Sequence, residues 1–142
     1  MNDDSCDPGA LPDELLYSPR AEMWLRFDAD EVVVGSTHLA ASLGEFVAFT
    51  PKRDGRAIDL DRALGVMEVV KAVVAIHAPL SAVIVAHNAA VREDPSLANR
   101  DPYGEGWLFR LRPTRLDEER GELVSRDAYV AMLNAGTAPD AG

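Results

Sequence analysis

The chain has a single cysteine, Cys6, so no intrachain disulfide can form and the fold must hold through its core alone. Cys6 sits in a polar N-terminal stretch and reads as an inert, solvated thiol. Basic residues are also scarce: 14 lysines and arginines stand against 24 aspartates and glutamates, for a formal charge of −10. That balance disfavours unspecific binding to nucleic acid or anionic membrane, because neutralising phosphates needs clustered cations. It suits transient docking on the basic surfaces of larger proteins. No apolar run approaches a membrane span, since Glu68, Lys71 and His77 interrupt the longest ones. The opening Met1-Asn2-Asp3-Asp4 is acidic and lacks the basic and apolar regions of a secretory signal. The expectation is a cytoplasmic protein without nucleic-acid or membrane partners.

The arrangements of an independent catalyst are missing too. His38, His77 and His87 stand apart without metal-ligand spacing. No Ser-His-Asp or Cys-His arrangement emerges, and no glycine-rich phosphate loop follows a strand. No catalytic residue and no metal site are assigned.

What is present suffices for one domain with a real core: 142 residues, of which 47% are apolar. Residues 1–10 lack periodicity and read as a mobile leader, and 134–142 as a flexible tail, leaving 11–133 as the domain. Within it the signals are mostly short strands. Trp24–Phe27 and Glu31–Val34 form a hairpin candidate around Asp28-Ala29-Asp30. Further strands are expected over Glu45–Phe49, Val66–Val70, Val73–Ile76 and Val83–Val85. Trp107–Arg112 alternates, with Trp107, Phe109 and Leu111 on one face and the arginines on the other. Thr37 is a cap for a helix from His38 to Leu43, and Ser125 for one from Arg126 to Leu133. Asp59–Ala63 has room for one helical turn. The fold class is mainly β, a compact sandwich or barrel-like domain with short helices, one at the C-terminus.

The centre of the chain, Gly65-Val66-Met67-Glu68-Val69-Val70-Lys71-Ala72, sets one lysine between two apolar runs. Such an ammonium must snorkel, pair, or stand at a bend that water reaches. Val69–Ala72 has none of the glycine, asparagine or aspartate that normally marks a hairpin tip. The pattern alone therefore admits either a continuous buried strand or a bend.

This stretch resembles the G-V-V-E-S-V-K-A-V attachment segment of the glycine cleavage system H proteins, which are lipoyl carriers. Leu11–Leu15 with Tyr17 is similar to that family's opening segment, and Asn99 with Asp101-Pro102-Tyr103-Gly104-Glu105-Gly106-Trp107-Leu108 to its D-P-Y-G-E-G-W-L motif. The resemblance implies a lipoyl/biotinyl-type β-sandwich hybrid, a barrel-sandwich, with Lys71 exposed at a hairpin tip. It implies lipoate in amide linkage to Lys71, and Glu68 as the residue by which a lipoate ligase or lipoyl transferase selects that lysine. His77, six residues after Lys71, becomes a candidate for the groove in which the arm rests. The implied partners are glycine decarboxylase, aminomethyltransferase and dihydrolipoyl dehydrogenase, met by a carrier that is not itself an enzyme. With no coiled-coil pattern or dimerising stripe in the sequence, a weakly docking monomer is expected.

Departures cluster near the arm. The family has an acidic residue four positions after the lipoyl lysine and a serine two before it, where this chain has Ala75 and Val69. Its His-Glu-Trp triplet reads Glu22-Met23-Trp24 here, with an extra residue after Tyr17, and a one-residue shift within a strand reverses a side chain's face. Val47–Arg53 also resembles the lipoate-binding proteins of bacterial sulfur oxidation, which serve heterodisulfide-reductase-like complexes. An aminomethyl cargo and a sulfur cargo both stay open. So do a relay of lipoyl groups to other lipoyl domains and an unmodified interaction protein.

Overall fold

The computed structural model describes residues 11–135. The expected leader, with Cys6, and residues 136–142 of the expected tail lie outside the described residues.

Two antiparallel sheets face each other. The larger draws on β1 (Leu16–Ser18), β2 (Met23–Asp28), β3 (Glu31–Ser36), β5 (Ala57–Ile58), β8 (Ala82–His87) and β9 (Phe109–Pro113), in the order β1-β2-β3-β9-β8-β5. The smaller is β4 (Phe46–Pro51), β6 (Ala63–Val69) and β7 (Ala72–His77), in the order β4-β6-β7. Among the described residues five short α-helices join or flank them, α1 (His38–Ala41), α2 (Ala89–Glu93), α3 (Leu97–Arg100), α4 (Leu116–Glu119) and α5 (Arg126–Asn134), with a 3₁₀ turn at Arg120–Glu122 after α4. None of the described helices is long and apolar enough to cross a membrane.

Strict alternation in β2 and β3 divides the interior in two. Met23, Leu25, Val32 and Val34 point between the sheets, where they meet Phe49, Met67, Ile84, Phe109 and Leu111. Trp24 and Val33, one residue out of phase, point the other way into a second cluster with Tyr17, Leu15, Leu11 and Tyr129 of α5. Both faces of the larger sheet are therefore covered, and only one face of the smaller.

The expected hairpin closes as Asp28↔Glu31 around Ala29, whose φ of +57° is the left-handed turn conformation. Thr37 caps α1 and Ser125 caps α5 by accepting from Ala40 N and Ala128 N respectively. Four expectations need correction. Helix α1 stops at Ala41 rather than Leu43, because Asn99 Nδ2 takes the Ala41 carbonyl that a further turn would use. Asp59–Arg62 make a single turn, closed by Arg62 N on Asp59 O at 3.0 Å, in which the left-handed Asp61 (φ +74°) rules out a helical turn, and Ala63 already opens β6. Trp107 does not share a face with Phe109. Strand β9 begins only at Phe109, and Trp107, half-buried before it, packs on the outer cluster. Helix α5 runs one residue past the expected Leu133.

Candidate functional site

Strands β6 and β7 pair from Ala63↔His77 to Val69↔Ala72, leaving Val70-Lys71 as a two-residue turn. A continuous strand through Lys71 is thereby excluded. The turn escapes the usual residue signature because neither Val70 nor Lys71 takes a positive φ. Glycine or asparagine would gain nothing there. At the other end of β6 the approach to β4 is close: a Cβ on Gly65 would stand 2.5 Å from Thr50 O.

Lys71 is exposed and makes no side-chain hydrogen bond or ion pair among the described residues. Val70 beside it is 82% exposed. The chain has only one other lysine, Lys52, which is half-buried after β4. Glu68 is likewise exposed, on the outer face of the small sheet, in the row Ala48–Glu68–Val73.

On the opposite side of the hairpin runs a groove of about 320 Å³, between the free edge of β7 and the β1–β2 turn and α1. Its walls are mostly apolar, with Met23, Leu43, Phe46, Met67, Val74 and Ile76 among them. Val69, two residues before Lys71, lines it, and so do both Ala75 and His77. His77 Nδ1 lies 2.9 Å from Asp61 O. A carbonyl can only accept, so this nitrogen carries the proton. Arg20, also in the lining, is held by Asp61 at 2.8 Å. Glu68 and Lys71 thus belong to the outer face and the tip, His77 to the groove.

Glu22 lines this groove as well. The extra residue after Tyr17 is absorbed by the 19–22 turn, closed by Glu22 N on Ser18 O at 2.8 Å, with Glu22 at φ +57°. Tyr17↔Trp24 and Ser18↔Met23 stay in register, so the shift never enters a strand. The contribution of α1 and β2 to the groove was not legible in the sequence, since these segments lie far from Lys71 along the chain.

The Asp101–Trp107 motif is architecture. Trp24 Nε1 donates to Pro102 O at 2.8 Å, and Tyr103 Oη holds both His38 N and His38 Nδ1. Burial pushes the Tyr103 phenol up to about 12. Just before the motif, Asn99 accepts from Phe46 N at 2.8 Å and donates to Ala41 O and Gly44 O, which anchors the start of β4. At Gly106 a Cβ would meet Ala98 Cα at 2.7 Å, so only glycine allows the approach of α3.

Comparison with known proteins agrees with this geometry. The family model described as glycine cleavage H-protein matches residues 15–136. The chain is similar to the glycine cleavage system H protein of Psychrobacter sp. (strain PRwf-1), 39% identical over 125 residues that cover 87% of this chain and 98% of that one. It is 40% identical over 127 residues to that of Corynebacterium jeikeium (strain K411), covering 86% and 96%. The crystal structure of a glycine cleavage system H protein from Mycobacterium marinum superposes with a TM-score of 0.76 at 29% identity, covering 87% of this chain and 99% of that one. Proteins of this family carry lipoate covalently on a lysine, and the mostly apolar groove beside an exposed lysine suits a hydrocarbon arm. The chain belongs to the glycine cleavage H-protein family, as a lipoyl carrier rather than a catalyst.

Proposed function

We propose that Lys71 is the lipoylated residue and that the domain, a cytoplasmic monomer built on residues 11–133, carries an aminomethyl group between the enzymes of glycine cleavage. The observation that carries this reading is the setting of Lys71: exposed, without a side-chain partner, on a two-residue turn just past the groove-lining Val69. Joined to Lys71 by an amide, lipoate replaces a cation with a long neutral arm whose reduced sulfur holds cargo at high local concentration before successive active sites. A lipoate ligase or lipoyl transferase attaches it, reading Glu68 on the outer face. Glycine decarboxylase, aminomethyltransferase and dihydrolipoyl dehydrogenase then use it.

The choice of an amine cargo rests on Glu22. The β7 edge that borders the groove, Val74 to His77, brings no carboxylate to it, with Ala75 rather than an acid on its outward-facing side. Glu22, whose charge also acts on Tyr129, lines the same groove from the β1–β2 turn. Among the described residues it is the one carboxylate in the lining, the charge a cationic amine would meet there. His77 and the apolar walls shelter the arm from water. A sulfur cargo is the second reading, favoured by Ala75 and by apolar walls that give an amine little to bond.

Intact-mass and peptide analysis of protein from a lipoate-replete host tests the attachment, with the lipoyl increment expected on the peptide containing Lys71 and absent from that of Lys52. An unmodified Lys71 would overturn the carrier reading at this residue. Incubating the lipoylated protein with glycine decarboxylase and glycine tests the cargo. Amine loading is expected; acceptance of sulfur from a persulfide donor without amine loading would reverse the assignment.

A further inference from the structure

The outer face of the small sheet is exposed and has an unusual composition. Its rows read Ala48–Glu68–Val73 and Thr50–Val66–Ala75 from β4 to β7. Val47, the extra residue of the β4 bulge, sits at their margin. The solvated face of an antiparallel sheet ordinarily carries polar side chains. Here Val73 is 63% and Val47 48% exposed, Ala75 is exposed, Val66 is half-buried, and Glu68 supplies the only charge in the two rows. Valines this exposed bury little apolar area in the isolated fold, and a contiguous apolar patch beside a carrier lysine marks an interaction surface.

We propose that this face is the docking platform for the enzyme that acylates Lys71, with Val47, Val66 and Val73 as its apolar contacts and Glu68 meeting a cation on that enzyme. The inference rests on Lys71 being the lipoylated residue. Glu68 shares its row with Val73 and Ala48, so an enzyme that reads Glu68 must also cover them. The charge complements an arginine or lysine on the partner, in keeping with the chain's net −10. Docking on the Glu68–Val73 row leaves the inner walls of the groove, formed by Met67, Val69 and Val74, open to receive the finished arm, although the groove and the outer face share the β7 edge at Ala75. In the step served, deprotonated Lys71 Nζ attacks the acyl carbon of lipoyl adenylate. The C–N amide bond forms, the bond from the acyl carbon to the phosphate oxygen breaks, AMP leaves, and one amine proton passes to solvent. The small patch fits a transient complex burying less than about 1,200 Å².

The test uses the full chain in its unlipoylated form, a bacterial lipoate ligase, lipoate and ATP, with acylation of Lys71 followed by mass. V47S/V73S should lower kcat/KM on the order of tenfold. F27S, at an exposed residue of β2 in the larger sheet that lines neither the groove nor the outer face, should acylate at the wild-type rate. A non-acylatable K71R competitor should inhibit acylation of the wild type, and K71R combined with V47S/V73S should not. Thermal unfolding of each variant checks that the fold is intact. Wild-type acylation rates in V47S/V73S would overturn the proposal, whether the defect appears instead with glycine decarboxylase or as loss of a dimer in sedimentation. Failure of the wild type itself to be acylated at Lys71 would strike the carrier reading, a different outcome from loss of the docking face alone.

Discussion

At the β6–β7 hairpin, Val70 is 82% exposed and Lys71 makes no side-chain bond among the described residues. Around Trp24, on the far face of the larger sheet, the opposite holds. Trp24 and Tyr17 are fully buried, Trp24 Nε1 is bonded to Pro102 O, and Tyr17 stacks on Tyr129 with ring centroids 5.3 Å apart. Among the described residues no buried side-chain nitrogen or oxygen lacks a partner. The contrast separates two duties. A carrier's working tip must enter other proteins, so it stays unpartnered, and stability has to come from elsewhere. Asn99 links the two by anchoring the start of β4 from the α3 side.

The largest expected effect is on function with none on stability. Lys71→Ala should abolish acylation while leaving urea-induced unfolding within about 0.5 kcal/mol of wild type. A loss of more than about 1 kcal/mol would mean that the tip carries structural weight, and the separation would fail. Trp24→Ala should do the reverse. It removes a fully buried indole and strands the Pro102 carbonyl, at a cost of about 3–5 kcal/mol. Acylation of Lys71 in the fraction still folded should proceed normally, as read by mass at a permissive temperature.

The tyrosines of the outer region extend the contrast to pH. Burial pushes Tyr103 and Tyr129 up to about 12, and Tyr17 higher still. An unfolded phenol ionises near 10, so between those values the unfolded chain releases protons that the folded one retains. Stability from these groups is complete below pH 10 and falls as pH rises toward 12, on the order of 2 kcal/mol for each phenol. Alkaline titration should therefore show phenolate absorbance and loss of secondary structure in one step. Phenols ionising near pH 10 with the fold intact would contradict the burial of this region.

The sequence reading recovered the sandwich because its short apolar strands are separated by proline, glycine, aspartate and asparagine. It did not see that Trp24 and Val33, out of phase with their neighbours, build a second core on the far face of the larger sheet. It missed the short helices α2, α3 and α4, whose four or five residues complete barely one turn and show no period. Trp107 was misplaced because alternation was extended two residues beyond the start of β9. The exposure of Lys71 came from resemblance alone, since a turn with negative φ needs no glycine to declare it. The groove walls join β2, α1 and β7 across long stretches of chain, and no local pattern encodes that meeting. The chain's own departure at Ala75 was visible, yet what stands in the same groove was not.

Glu22 sharpens the comparison from the other side, since it is a groove residue held at a local cost. A non-glycine residue at φ +57° gives up roughly 1–2 kcal/mol, and strain of this kind persists where the position has a task. Glu22→Gly relieves the strain but adds freedom to the unfolded chain. The net change should lie between zero and about 1 kcal/mol in favour of the fold. Glu22→Gln keeps the backbone and removes only the charge. If the carboxylate holds a cationic cargo, both variants should acylate normally at Lys71 and both should release an amine-loaded arm faster than wild type. Faster release from Glu22→Gly alone would assign the effect to the turn's geometry, and unchanged release from both would leave the groove without a partner for an amine and return the choice of cargo to sulfur.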